Sequence, residues 1–266
     1  MKKRRVVLIG GHELGCLCLD YLARRGYQVV LCLTRKDDSG EDNIFPSLLR
    51  VAKKHRVKCI RSARLDDPKV LKAVDAARAD ILLSLENNQI FREPWLNYFD
   101  GRLGIVNAHH GPLPRYGGFW PEVWAIWNRE KNFGVTLHYV DGSIDGGNIL
   151  AQKKVKISEY DTRRTLYDKC VQATFEIFKS VLPGLLEKKI MGKKQNRALR
   201  TYYKRGLPND GFVDFAWNAE KIRRFFRAVS FYPFVGPKIK IGGRIISSLD
   251  QDLPFFKPVC AHPEEY

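Results

Sequence analysis

No apolar run in the 266-residue sequence is long enough to cross a bilayer. The longest, VVLIG at 6–10 and VVLCL at 29–33, fall far short of the ~20 residues that a membrane-spanning helix needs. The start, MKKRRVVLIGG, has a basic head, but its apolar stretch is too short for a secretory signal and no small-residue cleavage site follows. A first β-strand, no membrane association and a cytoplasmic location are expected. There is no CxxC pair among Cys16, Cys18, Cys32, Cys59, Cys170 and Cys260, and four of the six lie in apolar strand or helix patterns. Reduced core thiols are therefore expected, with neither a metal site nor a disulfide framework. Internal repeats, low-complexity segments and RGG-like tails are absent, which removes solenoids and disordered RNA-binding arms. Acidic residues are in short supply: 29 Asp+Glu stand against 46 Lys+Arg, a net charge of +17. The surplus suits an anionic partner, although a well-solvated basic surface accounts for it equally. Basic residues concentrate at 2–5, 188–205 and 221–227.

What is present is enough apolar sequence for a packed core, 44% of residues, arranged in alternating short runs. RVVLIG (5–10), QVVLCLT (28–34), VKCI (57–60), DILLSL (80–85) and LGIVNAH (103–109) read as strands. Between the first two, Leu14, Leu17, Cys18, Tyr21 and Leu22 recur at helical spacing. Residues 47–55 and 68–78 read as further helices. This order argues for a parallel sheet covered on both faces, with binding at the carboxyl ends of the strands. Those ends are 10–15, 85–90 and 107–118. A short helix at 120–130, strands at 134–140 and 148–157, and a long amphipathic helix at 162–189 follow, the last with a cap at Asp161 or Thr162. A basic linker at 191–202 then separates a catalytic domain (1–190) from a small C-terminal module (203–266). That module should hold a helix at 219–229 and a hairpin centred on Gly242 and Gly243.

GGHELG (10–15) closes the first strand, but it is not a dinucleotide fingerprint. The second glycine of G-x-G-x-x-G would fall on His12, and Thr34–Arg35 stand where an acidic ribose ligand is needed. A tight turn lining a pocket is the better reading, with His12 either touching a ligand or simply exposed.

The densest chemistry is in NAHHGPLPRYGG (107–118). Alternate residues on an extended segment share a face, so Asn107 and His109 converge while His110 points away, to pack or to hold the loop. An asparagine amide can donate to a developing oxyanion, and a histidine can take a proton near neutral pH. The acidic partner is best supplied by Asp145 in the glycine-rich DGSIDGG (141–147), with Asp141 a competitor. His138 reads as structural. On these residues alone, His109 serves as well for a satisfied polar core residue as for a base.

The order NAHHGPLPRYGG…WAIWNREKNFGVTLHYVDGSIDGGNIL resembles the signature of the 10-formyltetrahydrofolate-dependent formyltransferases: Asn-x-His, a Leu-Pro-x-Tyr-x-Gly-like loop, Gly-Val-Thr, and an Asp-x-Gly loop. The tail KRGLPNDGFVDFAWNAEKIRRFFRAVSFYPFVGP is similar to that of family members acting on nucleotide-linked sugars, so the likeness spans most of 5–240. One departure is Gly111, where many members carry serine; the role of that hydroxyl is left open.

The resemblance implies an α/β fold, a Rossmann-like mostly parallel sheet with flanking helices plus a small C-terminal α+β module. It implies Asn107, His109 and Asp145 as the catalytic set, and 10-formyltetrahydrofolate as formyl donor. The pterin is expected beside Leu85, Glu86, Asn88, Ile90, Val140 and Asp141. The acceptor, a nucleotide-linked amino sugar for surface polysaccharide, is expected beside His12, Arg115, Tyr116, Gly118 and Trp120. A homodimer through the C-terminal module is a further expectation, and nucleic acid is not an expected partner. The alternative is methionyl-tRNA formyltransferase, which the charge would suit; against it, only about 60 residues follow the basic linker, too few for that enzyme's extra barrel. Glycinamide ribonucleotide formylation and a non-catalytic nucleotide- or RNA-binding protein of the same fold are weaker readings. The first of those enzymes tends to be shorter, and the second needs a broken triad.

Overall fold

The computed structural model describes residues 4–231 and 236–247. Its strands are β1 (Arg5–Gly10), β2 (Gln28–Arg35), β3 (Cys59–Ser62), β4 (Ile81–Leu85), β5 (Ile105–His109), β6 (Gly117–Gly118), β7 (Asn132–Tyr139), β8 (Ile149–Lys156), β9 (Tyr202–Tyr203), β10 (Lys238–Ile241) and β11 (Arg244–Ser247). The helices are α1 (His12–Arg24), α2 (Leu48–Lys54), α3 (Pro68–Ala76), α4 (Glu93–Phe99), α5 (Pro121–Trp127), α6 (Arg163–Leu186) and α7 (Ala219–Val229).

Seven strands form one sheet in the order β3-β2-β1-β4-β5-β7-β8. The first five run parallel, and β7 and β8 are antiparallel additions. Along β1, Val6 and Leu8 enter one apolar cluster while Val7 and Ile9 enter another, so both faces are covered and the strand reads as an unbroken apolar run. Helix starts follow local chemistry. Asp67 accepts from the Lys69 amide with Pro68 in the first turn, and Thr162, not Asp161, caps α6 through a reciprocal bond with Thr165. One face of α6 carries Leu166, Cys170, Phe178 and Leu182, all nearly inaccessible; each such burial contributes ~1.5–3 kcal/mol. Cys16, Cys18, Cys32 and Cys170 are buried free thiols and Cys59 is half-buried; Cys260 lies outside the described residues.

Three elements differ from the expectation. β3 sits two residues later than VKCI suggests, because Cys32–Arg35 pair with Cys59–Ser62 and leave Val57 outside the ladder. α4, only seven residues long, has no periodicity to announce it. The basic stretch after α6 runs back along β6 and the start of β8 rather than clear of the sheet. Lys193 and Ile149 exchange backbone bonds, and β9 pairs in parallel with β6. In the C-terminal part, α7 packs on α5, and Phe225, Ala228 and Val229 belong to the main core. The hairpin β10–β11 turns at Gly242 and Gly243 as its sequence implies. Among the described residues no helix is long and apolar enough to cross a membrane.

Chain order reverses between β1 and β4, the switch point where open α/β sheets bind ligands. There Gly10 lies in register with Leu85, and a Cβ on Gly10 would stand 2.2 Å from the Leu85 carbonyl oxygen. Only glycine lets the two strand ends close to this distance and open a crevice above them.

Candidate active site

A cavity of about 520 Å³ lies over the carboxyl ends of β1, β4 and β5. Asn107, His109 and Asp145 all line it. Antiparallel pairing sets Asn107 of β5 opposite His138 of β7. His138 directs Nδ1–H to the Tyr139 carbonyl at 2.8 Å, so its Nε2 accepts from the Asn107 amide at 3.1 Å. Asn107 Oδ1 accepts from Ser84 Oγ at 2.8 Å. The amide is thus oriented from both sides, nitrogen toward His138 and Asp145. Burial holds the His138 pKa below its ordinary value and the imidazole neutral, against the pull of Asp145.

His109 is buried and donates Nε2–H to the Tyr116 carbonyl at 2.7 Å. Its Nδ1 therefore carries the lone pair, 3.8 Å from Asp145 Oδ2, while His138 Nε2 lies 3.8 Å from Asp145 Oδ1. Asp145 adopts φ 52°, and its Oδ2 accepts the Gly118 amide at 2.8 Å. Burial alone would raise this carboxyl, but His109, His138 and the Gly118 N–H bring it below its ordinary range, so it is ionised. The left-handed backbone is held by groups remote in sequence. Gln195 Nε2 donates to the carbonyls of Asp145 (2.8 Å) and Gly147 (2.7 Å), and Arg200 donates to the Ile144 carbonyl at 2.8 Å.

The departure at Gly111 has a steric cause. A Cβ there would stand 2.7 Å from His109 Nε2 and 2.8 Å from the Tyr116 oxygen, inside the bond that fixes the imidazole. Thr136 Oγ1 donates to the Gly111 carbonyl at 2.6 Å and accepts from Gln152 at 2.9 Å, pinning the loop from below.

The opposite wall is built around His110, which is not mere packing. Its Nδ1 lies 2.8 Å from Glu122 Oε1, and its ring lies 5.5 Å from that of Tyr167. Glu86, at φ 59°, accepts from the Leu14 amide at 2.9 Å and from the Tyr167 hydroxyl. Burial pushes Glu86 up to about 7, with His110 and Tyr167 opposing. His12 sits edge-on to Phe45 at 4.0 Å and takes a bond from Arg35 at 3.0 Å. Burial, then Arg35, lowers it to about 4.

Of the remaining sequence candidates, Asn88, Ile90, Val140, Asp141 and Trp120 line the cavity, and Gly118 lines it beside Asp145, whose Oδ2 its amide meets. Three candidates do not. Leu85 turns into the core, 1% exposed. Arg115 is drawn outward to Glu130, and Tyr116 is 3% exposed with its hydroxyl on Glu130 and Asn128. Tyr116 reaches the site only through its carbonyl. Glu122, Arg163, Ser84 and Gln195 escaped sequence reasoning, since nothing local marks residues that act across the fold. Among the described residues no cluster of His, Cys, Asp and Glu suits a metal ion.

The fold recurs in solved structures. A sugar N-formyltransferase from Helicobacter canadensis, crystallised with folinic acid and dTDP-3-aminofucose, aligns over 90% of this chain and 85% of its own, with TM-score 0.72 and 24% identity. A 4-N formyltransferase from Francisella tularensis aligns over 93% and 97%, with TM-score 0.74 and 18% identity. In sequence, the chain is 31% identical over 227 residues to the bifunctional polymyxin resistance protein ArnA of Wigglesworthia glossinidia brevipalpis. That match takes in 85% of this chain but 34% of the relative, so the chain spans about a third of that protein's length. Residues 3–182, which contain β1 to β8 and every residue around the Asn107–His109–Asp145 cluster except those of the returning strap, match the formyl transferase family, and the chain belongs to it.

Proposed function

We propose that the protein transfers a formyl group from 10-formyltetrahydrofolate to the amino group of a dTDP-, UDP- or GDP-linked amino sugar, for surface polysaccharide. The observation that carries this reading is the convergence of Asn107, His109 and Asp145 in a cavity that is also lined by Arg35, Arg163 and Arg205 and by the rings of Phe119, Trp120 and Phe231. The Helicobacter canadensis relative, with its folinic acid and nucleotide sugar, supports the same pairing of donor and acceptor. Asn87 to Ile90 and Val140 to Asp145 form the wall for the pterin, whereas Glu86 is tied through Tyr167 into the wall around His110. That wall takes the nucleotide sugar.

The chemistry follows from the atoms available. The neutral amine attacks the formyl carbon, and the carbonyl oxygen becomes an oxyanion that the Asn107 amide stabilises. The amine proton passes to His109 Nδ1, the one ring nitrogen not engaged by a carbonyl. Ionised Asp145 stabilises the imidazolium so formed. Collapse breaks the bond from the formyl carbon to N10, and the imidazolium returns its proton to that nitrogen. The products are a sugar formamide and tetrahydrofolate, with no net proton change.

A panel of amines with 10-formyltetrahydrofolate tests the proposal: dTDP-, UDP- and GDP-linked amino sugars beside methionyl-tRNA, with tetrahydrofolate release as readout. Turnover with at least one nucleotide sugar is expected; release with methionyl-tRNA alone overturns the acceptor assignment.

A further inference from the structure

We propose that His110 and Arg163 form a two-donor subsite for a phosphoryl oxygen of the acceptor, the linkage between its sugar and its nucleoside. The inference rests on the nucleotide-sugar reading above and adds to it residues outside the Asn-His-Asp set. Both side chains line the cavity. The His110 side chain is 10% exposed and Arg163 is 8% exposed. Yet His110 Nε2 and Arg163 Nη1 are buried nitrogens with no hydrogen-bond partner in the protein. An unsatisfied buried donor costs about 1–3 kcal/mol, and more when charged, so two on one cavity wall call for an acceptor atom from a ligand.

Glu122 ties the two together. It holds His110 Nδ1 at 2.8 Å and lies close enough to Arg163 to oppose the loss of charge that burial imposes on that guanidinium. Because Nδ1 faces a carboxylate, the second ring nitrogen is a donor when the imidazole is protonated. Burial opposes that charge, but Glu122, then Glu86 and Glu13, hold the His110 pKa above its ordinary value. Glu122 keeps its own carboxyl ionised in turn, burial notwithstanding. Glu122 thus partners both cations, and each keeps one nitrogen that the protein leaves unpaired. The Arg163 guanidinium lies 5.0 Å from the Trp120 ring and 4.9 Å from the Phe231 ring. Its faces are thus covered by aromatic rings, which leaves the N–H edge for an anion. A hydroxyl would need only one donor; a phosphoryl oxygen uses two cationic donors.

The test measures binding of dTDP, UDP and GDP by titration calorimetry, together with steady-state KM for the acceptor and for the folate, on wild type and three variants. His110→Asn keeps a donor toward Glu122 and deletes the unpartnered Nε2. His110→Gln keeps a donor near the Nε2 position. Arg163→Met removes the second donor, and thermal melts confirm that each variant folds. His110→Asn and Arg163→Met should each weaken the tightest-bound nucleoside diphosphate about tenfold or more, since a hydrogen bond to a charged group is lost. Acceptor KM should rise in step, kcat and folate KM should hold, and His110→Gln should recover part of the loss. Wild-type nucleotide affinity in His110→Asn, or a rise in folate KM in place of acceptor KM, overturns the subsite. If wild type binds nucleoside diphosphates through these residues but formylates only methionyl-tRNA, the acceptor reading fails and the subsite stands. If it binds none of them, both fail.

Discussion

Two histidines adjacent in sequence line one cavity with different ring nitrogens engaged. His109 engages Nε2 on the Tyr116 carbonyl and leaves Nδ1 beside Asp145. His110 engages Nδ1 on Glu122 and leaves Nε2 without a partner. One is thereby a proton acceptor and the other a donor, though the side chain is the same. The difference lies in which nitrogen the surroundings occupy, and by what: a neutral carbonyl that demands an N–H, or a carboxylate that also holds a charge. A pair of identical residues can thus divide chemistry from recognition.

The sharpest break in that comparison is at the chemical end. Asn107→Ala should lower kcat by ~10²–10³ through loss of an oxyanion donor, and His109→Ala should remove most turnover, both with melting temperatures near wild type. Near-normal formyl transfer by His109→Ala in single-turnover assays sinks the assignment, whereas His110→Asn should act on acceptor KM. Next comes the His109 anchor. Gly111→Ala places a Cβ against Nε2, and a misplaced imidazole should cost kcat as much as ~10²-fold; a variant of unchanged kcat shows the bond to Tyr116 is dispensable. The strap is expected to matter less. Gln195→Ala frees the carbonyls of Asp145 and Gly147 and should lower kcat about tenfold with acceptor KM unchanged, read from steady-state kinetics. The smallest effect sharpens the recognition end. Glu86 is raised from 4.5 to about 7, so the fold favours its protonated form. Its stability contribution is complete below pH 4.5 and is lost as pH climbs to about 7. Glu86→Gln should therefore raise Tm relative to wild type more at pH 8 than at pH 5; equal shifts at both values count against a buried, titrating carboxyl.

How far the site could be read from sequence depended on range. Asn107 and His109 were paired by strand alternation, a rule with a period of two residues, and Asp145 or Asp141 by the freedom of their glycine loop. His138 read as structural because its place against Asn107 is a matter of register between β5 and β7. His110 read as packing or holding the loop because its partner Glu122 lies on another element, α5. Arg115 and Tyr116 looked like acceptor contacts because they stand in the signature loop, but Glu130 holds both side chains away from the cavity, Arg115 outward and Tyr116 in the core. The stretch 191–202 read as a linker on composition alone, yet Gln195 and Arg200 donate to the Asp145 loop and Lys193 to β8. Short pieces such as α4, β6 and β9 carry too few residues to show a period at all.

By itself, the sequence determined the strands, the long helices, the cavity's place at the strand ends and the shared face of Asn107 and His109. Each is encoded by side-chain period, capping chemistry or residue type within a short window; Asp145 was chosen over Asp141 only through the family resemblance. Tertiary structure alone decided which nitrogen of each histidine is engaged, what a side chain at position 111 would meet in this chain, and that a basic strap holds the Asp145 loop. These depend on carbonyls, carboxylates and amides brought within 3 Å or so from distant parts of the chain, and no local pattern records such meetings.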